Sequence, residues 1–222
     1  MDSITGVNHS ISVVIFDLDG TLIDSRMDIA DAANFALSQL GFPTVEPSLV
    51  WRHIGGGIRV LLGNLLQTQN MGTLTQAVEY FRHYYREHCL DKTVCYPGIK
   101  EVLEDFSGRG KRLAVVTNKN KEFTDKILEG LGLTRYFSSV VGANSGDKKK
   151  PDPELIHRAL SQMNAADRQA VIVGDSPADI EAGRKAGTKT CGVGYGIGEP
   201  EIIRAALPDY WAQIPLELLR LF

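Results

Sequence analysis

Five short apolar runs, rich in β-branched residues, set the strongest constraint on how this chain folds: Ile11–Phe16, Arg112–Thr117, Ser139–Gly142, Ala170–Gly174 and Lys189–Val193. Uninterrupted runs of this length suit strands buried on both faces, as in a parallel sheet covered by helices. From the second run onward, helix-like stretches separate the strands: Glu122–Leu131, Pro153–Met163 and Ala178–Ala186. That alternation is the βαβ pattern, and it predicts an α/β fold with a doubly wound parallel sheet.

The interval between the first and second runs breaks the alternation. It contains no convincing strand and reads instead as helices: Met27–Leu40, a stretch from Pro47 to Gln67, and Thr75–Cys89. In the first, Ile29, Ala32, Ala33, Ala36, Leu37 and Leu40 follow helical spacing. Ser25 at its N-cap and Asp28 three residues later form a candidate capping box. The last is aromatic on one side through Tyr80, Phe81, Tyr84 and Tyr85, a pattern that suits core packing. A helical cap over residues 27–95 is therefore expected, inserted into a core of residues 1–26 and 96–222. Pro97-Gly98 then opens a return helix, Ile99–Phe106.

Charge and composition narrow the partners. A net charge of −3 and a pI near 6.0 give no electrostatic case for nucleic acid or an anionic membrane surface. No apolar run reaches the roughly 18 residues that suggest a transmembrane helix. The polar first ten residues, MDSITGVNHS, lack the basic and apolar regions of a signal peptide and read as a loose leader. Cys89, Cys95 and Cys191 are too few and too scattered for a disulfide framework or a zinc site. A cytoplasmic protein is expected.

The chemistry-bearing residues collect at strand ends. The first run leads directly into Asp17-Leu18-Asp19-Gly20-Thr21. Ligands in open α/β sheets bind beyond the carboxyl ends of strands, and residues i and i+2 share a strand face. Asp17 and Asp19 are thus expected close together, and two neighbouring carboxylates repel unless a cation or a shared proton intervenes. The fourth run ends in Gly174-Asp175-Ser176-Pro177-Ala178-Asp179, which also reads as a helix start with Asp175 or Ser176 as N-cap. Acidic pairs at two strand ends, with oxygen ligands only, suit a hard ion such as Mg²⁺. The second run ends in Thr117-Asn118-Lys119, whose hydroxyl and amide can donate to phosphate oxygens. Before the next helix come Lys148, Lys149 and Lys150, stiffened by Pro151 and Pro153, with Asp152 able to cap that helix. A lysine held there can offset the charge of a carboxylate site carrying a phosphate dianion.

In this order the elements resemble the haloacid-dehalogenase-like phosphohydrolases over nearly the whole chain. D-x-D-G-T at Asp17–Thr21 is similar to the first motif of that family, Thr117 to the second, Lys150 before proline to the third, and G-D-x-x-x-D at Asp175 and Asp179 to the fourth. The resemblance implies that Asp17 is a covalent nucleophile and that Asp19 protonates the leaving group and then activates water. It implies that Mg²⁺ is held by Asp17, the backbone carbonyl of Asp19 and Asp175, with Asp179 supporting from behind. Thr117, Asn118 and Lys150 would then bind the transferred phosphoryl group. The inserted helices resemble a mobile cap with hinges at Asp24–Arg26 and Cys95–Ile99.

The cap is expected to choose the leaving group. Its His53–Arg59 segment, with Gly55, Gly56 and Gly57, reads either as a flexible break between helices or as a loop over the site. In the second reading Gly56 offers a backbone N–H and Arg59 or Arg52 meets a substrate carboxylate. The segment resembles I-G-x-G of the phosphoglycolate phosphatases, and the small phosphorylated metabolite it implies is 2-phosphoglycolate. Asp19 argues against a dehalogenase, which normally lacks the second aspartate. A pyrophosphatase, a sugar-phosphate or nucleotide phosphatase and a phosphomutase all keep the four motifs, and a non-catalytic sensor would be expected to have lost one of these groups.

Overall fold

The computed structural model describes residues 11–68 and 70–222. The expected leader and Gln69 lie outside the described residues. Six strands form one parallel sheet: β1 (Val13–Phe16), β4 (Arg112–Asn120), β5 (Phe137–Ala143), β6 (Ala170–Gly174), β7 (Lys189–Val193) and β8 (Tyr210–Ala212). Their order is β5-β4-β1-β6-β7-β8. The chain leaves β1 toward one edge through β4 and β5, then crosses back to β6 on the other side. That reversal opens a crevice beyond the carboxyl ends of β1, β4 and β6.

The uninterrupted apolar runs are explained by the two faces of the sheet. Val14 and Phe16 enter one buried cluster with α5 (Ile99–Gly108) and α6 (Lys121–Gly130), while Val13 and Ile15 enter another with α7 (Glu154–Gln162) and α8 (Pro177–Ala186). All four β1 side chains are fully buried. Each is worth about 1.5–3 kcal/mol, so β1 anchors the sheet by several kcal/mol.

Three expected strands have different bounds. β1 begins at Val13 rather than Ile11, β4 continues past Thr117 to Asn120 through a register irregularity, and β5 runs from Phe137 to Ala143 rather than from Ser139 to Gly142. The sequence reading missed β8 and the short helices α9 (Pro200–Ala205) and α10 (Leu218–Leu221). Only Ala212 of β8 is buried, so this edge strand carries no apolar run.

Between β1 and α5 lie, among the described residues, four helices: α1 (Arg26–Gln39), α2 (Pro47–Trp51), α3 (Ile58–Leu66) and α4 (Met71–His88). The helical stretch expected from Pro47 to Gln67 is two helices, parted at the glycines where a break was one of the two readings. Gly55 at φ +113° and Gly57 at φ +88° adopt left-handed backbone that an α-helix cannot contain. Ile29, Leu62 and Phe81 of these helices share the buried cluster of Phe16 and Val115 on the sheet.

The chain's departure and return are paired. β2 (Ile23–Asp24) and β3 (Val94–Cys95) form an antiparallel ladder, Ile23 opposite Cys95 and Asp24 opposite Val94. The expected capping box at Ser25 is absent: Ser25 is the N-cap residue but its side chain caps nothing, because its hydroxyl donates to Asp19 Oδ1. Asp28 instead accepts from Lys92 N, Thr93 N and Thr93 Oγ1 at 2.7–3.1 Å, fastening the returning chain to α1. Among the described residues no helix is long and apolar enough to cross a membrane.

Candidate active site

Asp17 sits at the carboxyl end of β1, almost wholly buried. Lys150 Nζ lies 2.9 Å from Asp17 Oδ1, and donates to Asp179 Oδ1 at 2.6 Å and to Val116 O at 2.9 Å. An ammonium has three donors, and all three have partners here. Asn118 fixes the lysine's backbone from both sides: its Oδ1 accepts from Lys150 N at 2.8 Å and its Nδ2 donates to Lys150 O at 3.0 Å. The same Nδ2 donates to Gly55 O of the α2–α3 loop at 2.9 Å. The Asn118 side chain therefore holds Lys150 and that loop, and its amide protons are already engaged. Of the three consecutive lysines, Lys150 faces Asp17, Lys149 faces Gly57, and Lys148 lies 4.0 Å from Asp152 at the surface.

The second acidic cluster converges on the first. Single carboxylate oxygens of Asp17, Asp175 and Asp179 lie within 4.8 Å of one another. Asp175 Oδ2 accepts from Ile197 N at 2.8 Å and Gly198 N at 3.1 Å, while Thr21 Oγ1 donates to its Oδ1 at 3.3 Å. Gly20 is required beside it, since a Cβ there would fall 2.0 Å from Asp175 Oδ2. Asp179 forms the capping box of α8 with Ser176, so Ser176 rather than Asp175 is the N-cap. With Lys150 on its other oxygen, Asp179 is satisfied by protein donors and supports the site from behind.

The electrostatics follow from burial. Burial raises the Asp17 carboxyl to about 6 despite the opposing pull of Lys150. Burial, then the charges of Asp17 and Asp179, raises Asp175 to about 7. Lys150 is held above the ordinary lysine range: burial works against its charge, and Asp17 and Asp179 outweigh it. Two buried carboxylates that resist ionising side by side, with oxygen donors only, fit a small hard cation such as Mg²⁺.

Asp19 points elsewhere. Lys119 Nζ contacts both of its carboxylate oxygens at 2.9 Å, and Ser25 donates to Oδ1. Lys119 also lies 4.9 Å from the ring centroid of Tyr85 on α4. Its charge is favoured over burial by Asp19, which raises its pKa above the usual lysine value.

A cavity of about 770 Å³ joins these groups to the inserted helices, lined by Asp17, Asp19, Thr117 and Asp175 from the sheet's end and by Gly55, Gly57 and Arg59 from the α2–α3 loop and α3. Gly56 is not on its wall: a Cβ at Gly56 would meet Val60. Arg52 and Arg59 line it and are exposed, with no ion pair among the described residues. The sequence reading assigned no role to Lys119, gave Tyr85 only a place in core packing, which it has, and left Lys149 as one of three consecutive lysines. Lys119 stands two residues after Thr117, and that was the only available signal.

The comparisons with known proteins agree with this geometry. Residues 14–193 match the model of the family described as haloacid dehalogenase-like hydrolase. A phosphoglycolate phosphatase of Aquifex aeolicus is 40% identical over 94% of this chain and 95% of its own length. One from Vibrio parahaemolyticus is 36% identical over 95% and 96%. A crystal structure described as a predicted phosphoglycolate phosphatase from Haemophilus somnus is 30% identical and superposes with a TM-score of 0.88, covering 97% of this chain and 99% of that one. The chain belongs to the haloacid dehalogenase-like hydrolases, and it is a phosphatase of their phosphoglycolate phosphatase-like group.

Proposed function

We propose that this phosphatase hydrolyses a small phosphomonoester, 2-phosphoglycolate in the best reading, through a covalent aspartyl phosphate on Asp17. The single observation that carries this reading is the placement of Asp17: buried at the end of the central strand, 2.9 Å from Lys150 Nζ and facing the cavity beside Asp175.

An Asp17 carboxylate oxygen attacks phosphorus and the bond from phosphorus to the leaving oxygen breaks. Asp19 delivers a proton to that alkoxide, then takes one from the water that attacks the aspartyl phosphate, and the bond from phosphorus to Asp17 breaks. For this, Asp19 gives one of its carboxylate oxygens to the leaving oxygen while Lys119 keeps hold of the other. The Thr117 hydroxyl accepts from Lys119 N at 3.2 Å, which leaves its own proton to donate to a phosphoryl oxygen. Lys150 offsets the negative charge of Asp17 and the phosphoryl group together, and Asn118 keeps it in place. Asp17, Asp175 and the main-chain carbonyl of Asp19 would hold Mg²⁺, which when bound supplies positive charge against the phosphoryl oxygens.

Residues 27–95 act as the cap in this reading, and the substrate preference follows the names of the relatives and the unpaired cations Arg52 and Arg59 at the cavity wall. The free thiols of Cys89, Cys95 and Cys191 are consistent with a cytoplasmic setting. Purified protein is expected to release phosphate from phosphoglycolate with Mg²⁺, and to stop when the metal is chelated. Asp17→Asn is expected to abolish turnover, and retained turnover overturns the nucleophile assignment. A panel of phosphoglycolate, pyrophosphate, sugar phosphates and nucleotides, ranked by kcat/KM, tests the substrate.

A further inference from the structure

Lys149 has no place in the chemistry above, yet it is built into the same cavity. It is half-buried and lines the wall together with Asp17 and Asp175. Its amine crosses to the glycine loop, where a Cβ on Gly57 would fall 2.3 Å from Lys149 Nζ and 3.6 Å from Asn118 O. Any larger residue at 57 would therefore displace the amine, and φ +88° already disfavours one. Among the described residues, no carboxylate lies within ion-pair distance of Lys149 and no hydrogen bond uses its amine. By contrast, Lys119 pairs with Asp19, and Lys150 pairs with Asp17 and Asp179. A cation taken half out of water without a partner is costly unless something else regularly supplies the counter-charge. Burial accordingly lowers its pKa below the usual lysine value.

The chemistry at the other end of the cavity says what that counter-charge is. The transferred phosphoryl group has its own cations and donors in Lys150, Thr117 and the metal ligands. What remains is the leaving group, and the part of the cavity left for it is walled by Lys149 and the α2–α3 loop. We propose that Lys149 is a specificity residue that binds an anionic group, a carboxylate, on the leaving-group end of the substrate, with Gly57 keeping its amine clear. This rests on the reading of a carboxylate-bearing phosphomonoester as substrate, and places the selecting charge on the catalytic core, on the residue beside Lys150. Arg52 and Arg59, both exposed, then contribute less than Lys149.

The test compares phosphoglycolate with ethyl phosphate, which has a leaving group of similar size and no charge, in the wild-type enzyme and in Lys149→Met. The wild type is expected to prefer phosphoglycolate. Lys149→Met is expected to lower kcat/KM for phosphoglycolate by roughly ten- to a hundredfold, mainly through KM, with ethyl phosphate changed less than about twofold. A wild type with no preference sinks the substrate reading and this inference with it. A wild type that prefers phosphoglycolate and a variant that keeps the preference sink this inference alone. An equal loss on both substrates, or a lowered melting temperature that accounts for the loss, also overturns it, because Lys149 would then be structural. Arg59→Met measured on the same pair is expected to change the preference less than Lys149→Met; a larger change overturns the assignment to Lys149.

Discussion

Lys119 grips Asp19 symmetrically, its Nζ 2.9 Å from each carboxylate oxygen, although the two residues are 100 positions apart in sequence. The pair is half-buried, and the lysine's other face rests on the Tyr85 ring of α4. The orientation of the proposed acid–base residue thus depends on a core lysine and on a helix of the insertion.

Replacing Lys119 with methionine is expected to lower kcat by roughly ten- to a hundredfold, while Asp19→Asn lowers it by about 10²–10⁴. If Lys119 acts only by positioning Asp19, the double variant is no slower than Asp19→Asn, and steady-state kinetics of the four proteins measures that coupling. Full additivity would place Lys119 in direct contact with substrate instead.

Tyr85 separates packing from polarity. Its ring is buried, and among the described residues its hydroxyl has no hydrogen-bond partner within ordinary distance, Lys119 being the nearest charge. Tyr85→Phe is expected to leave stability and turnover within about 0.5 kcal/mol and twofold of wild type. Tyr85→Ala opens a void beneath Lys119 and beside Phe123, and is expected to cost about 3–5 kcal/mol in chemical denaturation.

Asp28 should matter through structure alone. Removing its carboxylate leaves the N–H groups of Lys92 and Thr93 without that acceptor, and a buried unsatisfied donor costs about 1–3 kcal/mol. Asp28→Ala is expected to lower the melting temperature by roughly 5–10 °C, at about 2–4 °C per kcal/mol for a chain of this size. Calorimetry checks the value, and a change under about 2 °C would contradict the fastening role.

The raised carboxyls of Asp17 and Asp175 make a signed prediction for the metal-free protein. With folded values of about 6 and about 7 against an ordinary 3.8, the folded state holds protons that the unfolded state gives up. Their contribution to stability is therefore fully present below pH about 4 and is lost as pH rises through about 6 to 7, at up to roughly 1.4 kcal/mol per pH unit per group. Relative to Asp175→Asn, the metal-free wild type should lose stability as pH rises from 4 to 8. Added Mg²⁺ should stabilise the wild type more at pH 8 than at pH 5, because only the ionised pair is a ligand set. Melting curves with and without the metal measure both effects.

What was legible in the sequence, and what was not, divides along contact distance. The strands β1, β4, β6 and β7 could be read because burial on both faces forces continuous apolar runs such as Val13–Phe16. Asp17, Thr117, Asp175 and Asp179 could be named because each stands at the end of such a run or just beyond it, whereas Lys150 was singled out among three lysines only by the resemblance of Lys150-Pro151 to the family's third motif; the fold brings all five to one end of the sheet. Asp19 shares that end but is turned toward Lys119, which alternation along a strand does not foresee past the turn at Gly20. Ser25 and Asp28 have the spacing of a capping box, yet stronger partners in Asp19 and the Lys92–Thr93 backbone claim them. The break at Gly55–Gly57 is a matter of backbone sign, and three glycines in a row announce freedom without saying which way it is used. Edge elements such as β8 are too short and too exposed to leave a pattern.

The antiparallel pairing of Ile23–Asp24 with Val94–Cys95 has a consequence beyond anchoring. The chain leaves the sheet and comes back at one rung, so the two ends of the insertion lie side by side and the strand order does not depend on its length. Its helices bear on the carboxyl ends of the strands through side chains instead, with Tyr85 beneath Lys119 and Gly55 O on the Asn118 amide. Any exchange of those helices would leave the sheet's topology in place and fall first on these contacts.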